Sequence, residues 1–271
     1  MKSKNDKKIG IFDSGVGGLT VASEIFKILP DEDVIYFGDT ARCPYGPRSQ
    51  KIIQEFSLQN VNFLLSQKVK FIVIACNTSS AFALDFLKER FEVPLMGVIE
   101  PGAKAAVKMT KNGRIGVIGT IGTISSHSYK DAIYKFDKKV LVFSHPCPLF
   151  VPLVEEGSLD KKATYLIAEE YLSPLKKQKV DALILGCTHY PLLKKVIKEV
   201  MGARVTLIDS AEQTAREVKK FLSENNLLKK TKGKPLHKFS VSDQPEKFIQ
   251  IGQRFLGKTI KEAQVIDINR Y

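Results

Sequence analysis

Short runs rich in Ile and Val recur along the chain, each followed by small or polar residues and then by a helix-like spacing of apolar residues. This order is typical of strand–helix units in a parallel sheet. The runs are almost continuously apolar, as expected of strands buried on both faces. The pattern predicts an α/β fold with helices on both sheet faces and strands at Lys8–Phe12, Val34–Phe37, Phe71–Ala75, Leu95–Val98, Ile115–Ile118, Val140–Phe143, Ala182–Leu185 and Val205–Ile208.

Two pairs of segments repeat each other along the chain. KIGIFDSGVGG at Lys8–Gly18 resembles RIGVIGTIGT at Arg114–Thr123, an offset of 106 residues (115 − 9). FIVIACNTSS at Phe71–Ser80 resembles ALILGCTHYP at Ala182–Pro191, an offset of 111 residues (187 − 76). The repetition predicts two similar doubly wound domains with parallel sheets, related by pseudo-symmetry, and an active site in the cleft between them. We assign residues 1–97 plus 209–271 to the first domain and residues 98–208 to the second.

The composition, 271 residues with 44% hydrophobic and 26% charged side chains, is typical of a globular protein with room for two domains. No apolar run is long enough to span a bilayer and no export signal follows the basic N-terminus, which predicts a cytoplasmic protein without a membrane partner. The net charge of +13 comes from lysines that concentrate only at Lys2–Lys8 and Lys229–Lys234. Because no nucleic-acid-binding motif accompanies them, we expect an anionic small substrate and no nucleic-acid partner.

The four cysteines lack CxxC spacing, which argues against a disulfide framework. Cys43 has no partner motif. Cys76 and Cys187 each follow a predicted buried strand at the start of a helix, where main-chain amides and the helix dipole favour a thiolate. A purely structural cysteine would have no reason to recur in both halves. Two equivalent acid/base groups suit removal of a proton from one face of a carbon and its return to the other face, so the pair predicts racemisation or epimerisation.

Three further side chains are candidates to assist the two thiols. Asp13 ends the first strand, and a carboxylate near a thiol can accept its proton or change its pKa. Capping of the following turn is the alternative role of this residue. His189 lies two residues after Cys187 and is a candidate partner for that thiol. Glu155, in FVPLVEEG, is a candidate from the second half, with a plain surface carboxylate as its alternative.

Two other interpretations are weaker. The DSGVGG loop, with Asp39 after the next strand, has features of a dinucleotide-binding turn, but the glycine register fails at Thr20. Zinc prefers thiol and imidazole ligands, but the one-residue gaps between the available pairs are unlike zinc motifs; those pairs are His145 with Cys147 and Cys187 with His189. We therefore predict neither a metal nor a cofactor.

The chain as a whole resembles the glutamate racemases, within the cofactor-independent amino-acid racemases. The similarity extends from about Ile9 to the helix after Asp209 and is lowest in the lysine-rich tail from Asn226 onward. It rests on IGIFDSGVGGLTV (9–21), YFGDTARCPYGPRS (36–49), VIACNTSSA (73–81), GVIEPGA (97–103), IGVIGTIGTI (115–124), PLFVPLVEEG (148–157) and LGCTHYPLL (185–193).

This resemblance implies interconversion of L- and D-glutamate for peptidoglycan synthesis, without pyridoxal phosphate or metal. Homodimers are frequent in the family, and we expect one here. By position, Cys76 and Cys187 are the implied catalytic acid/bases, with Asp13, His189 and Glu155 as their assistants. The implied substrate-binding residues are Asp13, Ser14, Tyr45, Gly46, Asn77, Thr78, Thr188 and His189.

Two alternatives stay open from the sequence. One is an aspartate racemase or another relative with the same pair of cysteines. The other is a catalytically idle amino-acid-binding or regulatory protein that acts through its basic surface. Exchange of the α-proton of D- and L-glutamate with deuterated water separates an active racemase from an idle binding protein.

Overall fold

The computed structural model describes residues 4–231 and 233–271, so residues 1–3 and Lys232, which belong to the two lysine-rich stretches, lie outside the described residues. The strands form two sheets in which every described pairing is parallel. They are β1 Lys8–Asp13, β2 Val34–Gly38, β3 Val69–Ile74, β4 Leu95–Gly97, β5 Arg114–Gly119, β6 Leu141–Pro146, β7 Ala182–Gly186, β8 Thr206–Asp209, β9 His237–Val241 and β10 Gln264–Val265.

Helices connect successive strands, as parallel pairing requires. Short 3₁₀ turns at Lys4–Asp6, Tyr190–Leu193 and Ile268–Arg270 supplement them. The helices are α1 Leu19–Ile28, α2 Gln50–Ser66, α3 Asn77–Phe82, α4 Leu84–Lys88, α5 Ile99–Met109, α6 Ile121–Ser125, α7 Ser128–Phe136, α8 Phe150–Glu155, α9 Lys162–Lys177, α10 Lys194–Met201, α11 Ser210–Glu224 and α12 Pro245–Leu256.

The two sheets share one topology. The first has the order β10-β9-β2-β1-β3-β4 and the second the order β6-β5-β7-β8. With β9 and β10 set aside, each sheet begins with its second strand, followed by its first, third and fourth. The predicted class, two similar α/β domains with parallel sheets, is confirmed. The domain limits, 1–97 plus 209–271 and 98–208, stay a prediction; β8 of the second sheet ends at Asp209.

Each sheet has one topological switch point, where the winding of the chain reverses. It lies between β1 and β3 in the first sheet and between β5 and β7 in the second. Ligands of open α/β sheets bind outside the carboxyl ends of the strands at such a point. Cys76 follows β3 by two residues and Cys187 follows β7 directly. Both switch points therefore carry a cysteine.

The predicted strands are all present, with ends that differ by up to three residues, the largest difference being at the end of β6. The prediction of burial on both faces does not hold everywhere: β8 is half-buried except at Ile208, and β6 is exposed or half-buried along its whole length. The reason is position, because each of these two strands forms an edge of the second sheet and has a strand on one side only. β1, β3, β5 and β7 lie inside the sheets, and almost all of their residues are buried.

The two halves share an apolar core. α11 packs against both α1 and α5, and α5 packs against α7 and β7. One continuous cluster of buried side chains includes Ile9 and Ile11 from β1 together with Leu183 and Leu185 from β7. This packing holds the strand ends of both sheets on the two sides of one cleft. Among the residues that the structure describes, no helix combines the length and the apolar character that crossing a membrane requires.

A close main-chain approach joins the halves at the cleft. The Gly122 amide, in α6, donates a 2.9 Å hydrogen bond to the carbonyl oxygen of Gly46, in the turn after a cis Cys43–Pro44 bond. A Cβ atom on Gly122 would lie 2.8 Å from that oxygen. Only glycine allows this contact without a shift of one of the two turns.

Gly122→Ala should therefore destabilise the protein by about 1–3 kcal/mol, because the added methyl group forces the two turns apart. Urea unfolding at constant pH measures the change. Ile121→Ala is the matched control: its side chain is one position away and 53% exposed, so we expect a cost of no more than about 0.5 kcal/mol. Equal stability of Gly122→Ala and the unmodified protein would contradict the contact.

Candidate active site

The Cys76 thiol lies where β3 gives way to α3, and it is 5% exposed. Its sulfur is 3.7 Å from the Ser14 hydroxyl, which comes from the loop after β1. Burial raises the pKa of Cys76 above the ordinary thiol value, and the charge of Asp13 raises this pKa further. The amide and hydroxyl of Ser79 and the hydroxyl of Ser14 lower it. Polar groups of both neighbouring loops therefore surround the first thiol.

The Cys187 thiol, 6% exposed, follows β7 and lies 3.9 Å from Nδ1 of His189. The other ring nitrogen, Nε2, is 3.0 Å from Oε1 of Glu155. An ionised carboxylate only accepts hydrogen bonds, so Nε2 carries the proton of this contact and Nδ1 faces the thiol. Burial raises the pKa of Cys187 well above its ordinary value, and the main-chain amide of His189 opposes the increase.

The charges around the two thiols are coupled. Negative charge on Cys76 and on Asp13 also raises the pKa of Cys187. The hydrogen bond from His189 lowers the pKa of Glu155, against the opposing effect of burial. Two like charges in one poorly hydrated site disfavour each other. The site therefore favours at most one thiolate at a time.

Asp13 connects the two halves of the site and is fully buried. One carboxylate oxygen accepts from the Gly15 amide at 3.0 Å, and the other accepts from the Thr188 hydroxyl at 3.5 Å. Burial raises the pKa of Asp13, while the positive charge of a protonated His189 and nearby main-chain amides lower it. A carboxyl with a raised pKa is a better proton acceptor than an ordinary aspartate.

Both thiols line one cavity of about 30 Å³ in the cleft. Asp13 and Glu155 are outside its lining; they contact it through Thr188 and His189, respectively. The predicted residues that do line the cavity are Ser14, Tyr45, Gly46, Cys76, Asn77, Thr78, Cys187, Thr188 and His189. The structure therefore brings every predicted site residue to one place, seven of the non-cysteine candidates directly at the cavity and two immediately behind it.

Tyr45 lines the cavity, but its hydroxyl is not free to bind a ligand. Its hydroxyl donates to Asp39 and accepts from the Asn60 amide at 3.2 Å, so this group is already engaged. The ring and main chain of Tyr45, with the main chain of Gly46, are what the turn presents to a ligand. Asp39 has a structural role in this turn, because it also binds Arg42. This agrees with the failure of the dinucleotide pattern in the sequence.

Sequence reasoning missed four lining residues: Cys43, Pro44, Thr120 and Val151. Cys43, which has no partner motif in the sequence, nevertheless lies in the cavity wall. For Thr120 a signal was available, because the offset of 106 residues between the repeats makes it the counterpart of Ser14 (120 − 14 = 106). Pro44 and Val151 lie in two of the segments that carry the family resemblance, 36–49 and 148–157, but no repeat singles them out.

Hydroxyl groups link the halves on the Cys76 side. The Thr78 oxygen lies 3.0 Å from that of Thr120 and 3.2 Å from that of Thr123, and the last two are 3.0 Å apart. This three-membered ring joins the first turn of α3 to the first turn of α6. Within residues 4–231 and 233–271, no group of three or more His, Cys, Asp or Glu side chains is arranged to hold a metal ion.

The site can perform acid/base chemistry at one carbon from two sides. Two thiols approach the same cavity from different sheets, each with its own proton acceptor nearby, and hydroxyl and amide groups suited to a carboxylate lie between them. The fold and the site together are those of an amino-acid racemase.

Comparison with known proteins agrees. The sequence profile described as Asp/Glu/Hydantoin racemase matches residues 14–218. A glutamate racemase from Geobacter metallireducens is 51% identical over 262 residues, which cover 97% of this chain and 97% of that protein. The crystal structure of a glutamate racemase isoform from Bacillus anthracis has a TM-score of 0.93 at 45% identity, covering 96% of this chain and 97% of that chain.

A second crystal structure, that of glutamate racemase from Francisella tularensis in complex with D-glutamate, also has a TM-score of 0.93. It is 41% identical and covers 98% of this chain and 100% of that chain. The chain belongs to the Asp/Glu/hydantoin racemase family, in its group of glutamate racemases.

Glu155 should make the free energy of unfolding depend on pH in the acidic range. Its folded pKa is lowered by His189, so its contribution is present above the unfolded pKa and is lost as pH falls through the folded pKa. We expect the urea midpoint of the unmodified protein to fall more steeply than that of Glu155→Gln between about pH 5 and about pH 3. Glu156→Gln, at the next and exposed position, should follow the unmodified protein. Parallel curves for all three proteins would contradict this role of the His189 contact.

Proposed function

We propose that this racemase interconverts L- and D-glutamate by a two-base proton transfer that needs no cofactor. One cysteine, as the thiolate, removes the α-proton, and the opposite cysteine, as the thiol, delivers a proton to the other face of the carbon. The roles exchange with the substrate enantiomer. The observation that carries the proposal is the approach of Cys76 and Cys187 to one cavity from the switch points of two sheets.

The electrostatics of the site support this assignment. A two-base step needs one thiolate and one thiol at the same time. If both cysteines were protonated, or both ionised, no reaction could occur. Burial raises the pKa of both thiols, and charge on Cys76 raises that of Cys187 further. Ionisation of one thiol therefore keeps the other protonated. The buried site also strengthens the hydrogen bonds to the charge that spreads onto the substrate carboxylate.

The two thiols have different proton acceptors. Cys76 is next to the buried carboxyl of Asp13, whose pKa is raised, so this group can take the thiol proton. Cys187 is next to His189, whose other nitrogen is oriented by Glu155. We assign Asp13 to Cys76 and the His189–Glu155 pair to Cys187. Asp13 and Glu155 act on the substrate only through other side chains, because neither lines the cavity.

The substrate carboxylates require donors on both sides of the cavity. The side chains of Ser14, Asn77, Thr78 and Thr188 and the main chain at Tyr45–Gly46 are placed to provide them. The relative from Francisella tularensis has been crystallised in complex with D-glutamate. Ligand sites usually offer about 300–1,000 Å³, whereas the cavity here has about 30 Å³. A larger cavity of about 370 Å³ adjoins it and shares Cys43, Pro44 and Val151 in its lining.

The resemblance extends the proposal to cellular role. We assign the D-glutamate product to peptidoglycan synthesis and cell-wall formation, in the cytoplasm. A homodimer stays a prediction, which sedimentation of the purified protein tests. Activity that disappeared with a chelator, or a visible absorbance from bound pyridoxal phosphate, would contradict a reaction without metal or cofactor.

Deuterated water gives the sharpest test of the reaction. In early turnover with either enantiomer, the product should carry solvent deuterium at the α-carbon while the remaining substrate keeps its hydrogen, because the donor and the acceptor of the proton are different groups. Mass spectrometry after chiral separation measures both. Parallel assays with aspartate and hydantoins, followed by circular dichroism, distinguish a related racemase. Absence of exchange with every substrate would favour a catalytically idle binding protein.

Cys76→Ser and Cys187→Ser should each lower racemisation of both enantiomers by about 1,000-fold, because a serine hydroxyl is a far weaker acid than a thiol. Circular dichroism of the glutamate solution measures the rate. Cys147→Ser is the matched control: this buried thiol also follows a strand of the second sheet but is outside the cavity lining. Full racemisation by either of the first two variants would contradict the two-cysteine mechanism.

The raised pKa values predict how activity depends on pH. Because the pKa of each thiol lies above its ordinary value near 9, kcat/KM should still be rising between about pH 7 and about pH 9. Asp13→Asn removes a charge that raises the pKa of Cys76, so the rising limb should move to lower pH while the maximal rate falls. A rate that declines from about pH 8 upward in the unmodified protein would show that the thiols ionise near or below their ordinary value.

A further inference from the structure

The side chain of Asn77 is only half satisfied. It is 3% exposed and lines the cleft cavity. Its carbonyl oxygen accepts a 2.6 Å hydrogen bond from the Tyr129 hydroxyl, whereas its amide nitrogen is buried and has no hydrogen-bond partner among the described residues. An unpaired buried donor is costly and therefore uncommon in folded proteins. At a ligand cavity, such a donor indicates an acceptor that the ligand itself brings.

The direction of an Asn amide is decided by its partners, since its oxygen and nitrogen ends have nearly the same shape. With the nitrogen toward the cavity, Asn77 donates to an anion; after a half-turn, its oxygen would repel that anion. The only difference between a productive and a repulsive site is thus the orientation of one amide.

Tyr129 determines this orientation. It is on α7 of the second half, 2% exposed, and it reaches Asn77 on α3 across the cleft. Burial raises the pKa of Tyr129, so the phenol stays protonated and can donate a hydrogen bond. The phenol has a single proton, and its hydroxyl donates that proton to Asn77 at 2.6 Å. The Asn77 end of that bond must then be the oxygen.

We propose that Tyr129 is a positioning residue for the substrate carboxylate: it holds the Asn77 amide with its nitrogen toward the cavity. Asn77 is adjacent to Cys76 in the chain, so the carboxylate that it binds is the one beside the reacting carbon. The inference rests on the proposed function for the identity of the ligand, glutamate. Tyr129 itself is outside the cavity lining and acts through Asn77.

Tyr129→Phe removes the hydroxyl and leaves the ring. We expect kcat/KM to fall about tenfold for both enantiomers, because the freed amide loses part of its productive orientation. A double-mutant cycle identifies the route of the effect. In an Asn77→Ala background, Tyr129→Phe should change kcat/KM by less than about twofold. A further loss of about tenfold in that background would overturn the proposal, since Tyr129 would then act independently of Asn77.

Tyr190→Phe is the matched control for loss of a buried phenol hydroxyl. Tyr190 is fully buried and its hydroxyl donates a 2.8 Å bond to the main-chain oxygen of Cys147, away from the cavity. Both variants should lower the thermal midpoint to a similar extent, and only Tyr129→Phe should lower kcat/KM about tenfold. An equal loss of kcat/KM in both variants would indicate a general effect of packing and would overturn the proposal.

Calorimetric titration with D-glutamate separates this inference from the proposed function. If the unmodified protein binds glutamate without racemising it, and Tyr129→Phe weakens binding about tenfold, the function is wrong and the positioning role stands. If the unmodified protein racemises glutamate and Tyr129→Phe leaves both the dissociation constant and kcat/KM unchanged, the positioning role is wrong and the function stands. An unmodified protein that neither binds nor racemises glutamate overturns both.

Discussion

The site depends on the contact that Thr188 makes across the cleft. Its hydroxyl donates to Asp13, and its carbonyl oxygen accepts a 3.2 Å bond from the Thr20 hydroxyl. Gly17 makes this approach possible, since a Cβ atom there would lie 2.3 Å from the Thr188 hydroxyl oxygen. Thr188 directly follows Cys187, so the same contact fixes the second thiol against the first half. The shared apolar core holds the two halves together, and these few polar contacts set their relative position at the cleft.

The pseudo-symmetry of the backbone does not extend to the chemistry. The offset between the first repeats makes Gly119 the counterpart of Asp13 (119 − 13 = 106), and that between the second makes Thr78 the counterpart of His189 (189 − 78 = 111). One thiol is therefore near a carboxyl group and the other near an imidazole. A racemase must process two mirror-image substrates with L-amino acids only, so its two thiols need not have identical neighbours. The hydroxyl ring of Thr78, Thr120 and Thr123 occupies the side where His189 has no equivalent.

Much of the fold could be predicted from the sequence because strands and helices leave local patterns of apolar residues. Buried strands are recognisable from continuous apolar runs, and their spacing led to the correct α/β class with two similar sheets. The burial of β6 was not readable, because whether a strand lies at an edge depends on pairing with distant segments. Likewise, the sequence predicted Tyr45 as a substrate-binding residue, but its hydroxyl is engaged by Asp39 and Asn60. A side chain's partner is a tertiary property, which a motif does not specify.

The sequence by itself determined the order of strands and helices, the duplication of the strand–cysteine unit and the residue types that a two-sided acid/base site needs. Only the tertiary structure decided that Cys76 and Cys187 line one cavity, that Asp13 and Glu155 lie one residue behind it, that Thr120 lines it and that Tyr129 bonds to Asn77. The physical reason is the separation along the chain over which each effect acts. Hydrophobic periodicity acts within a few residues of the chain, whereas thiol acidity and amide orientation depend on burial and on atoms that are distant in sequence.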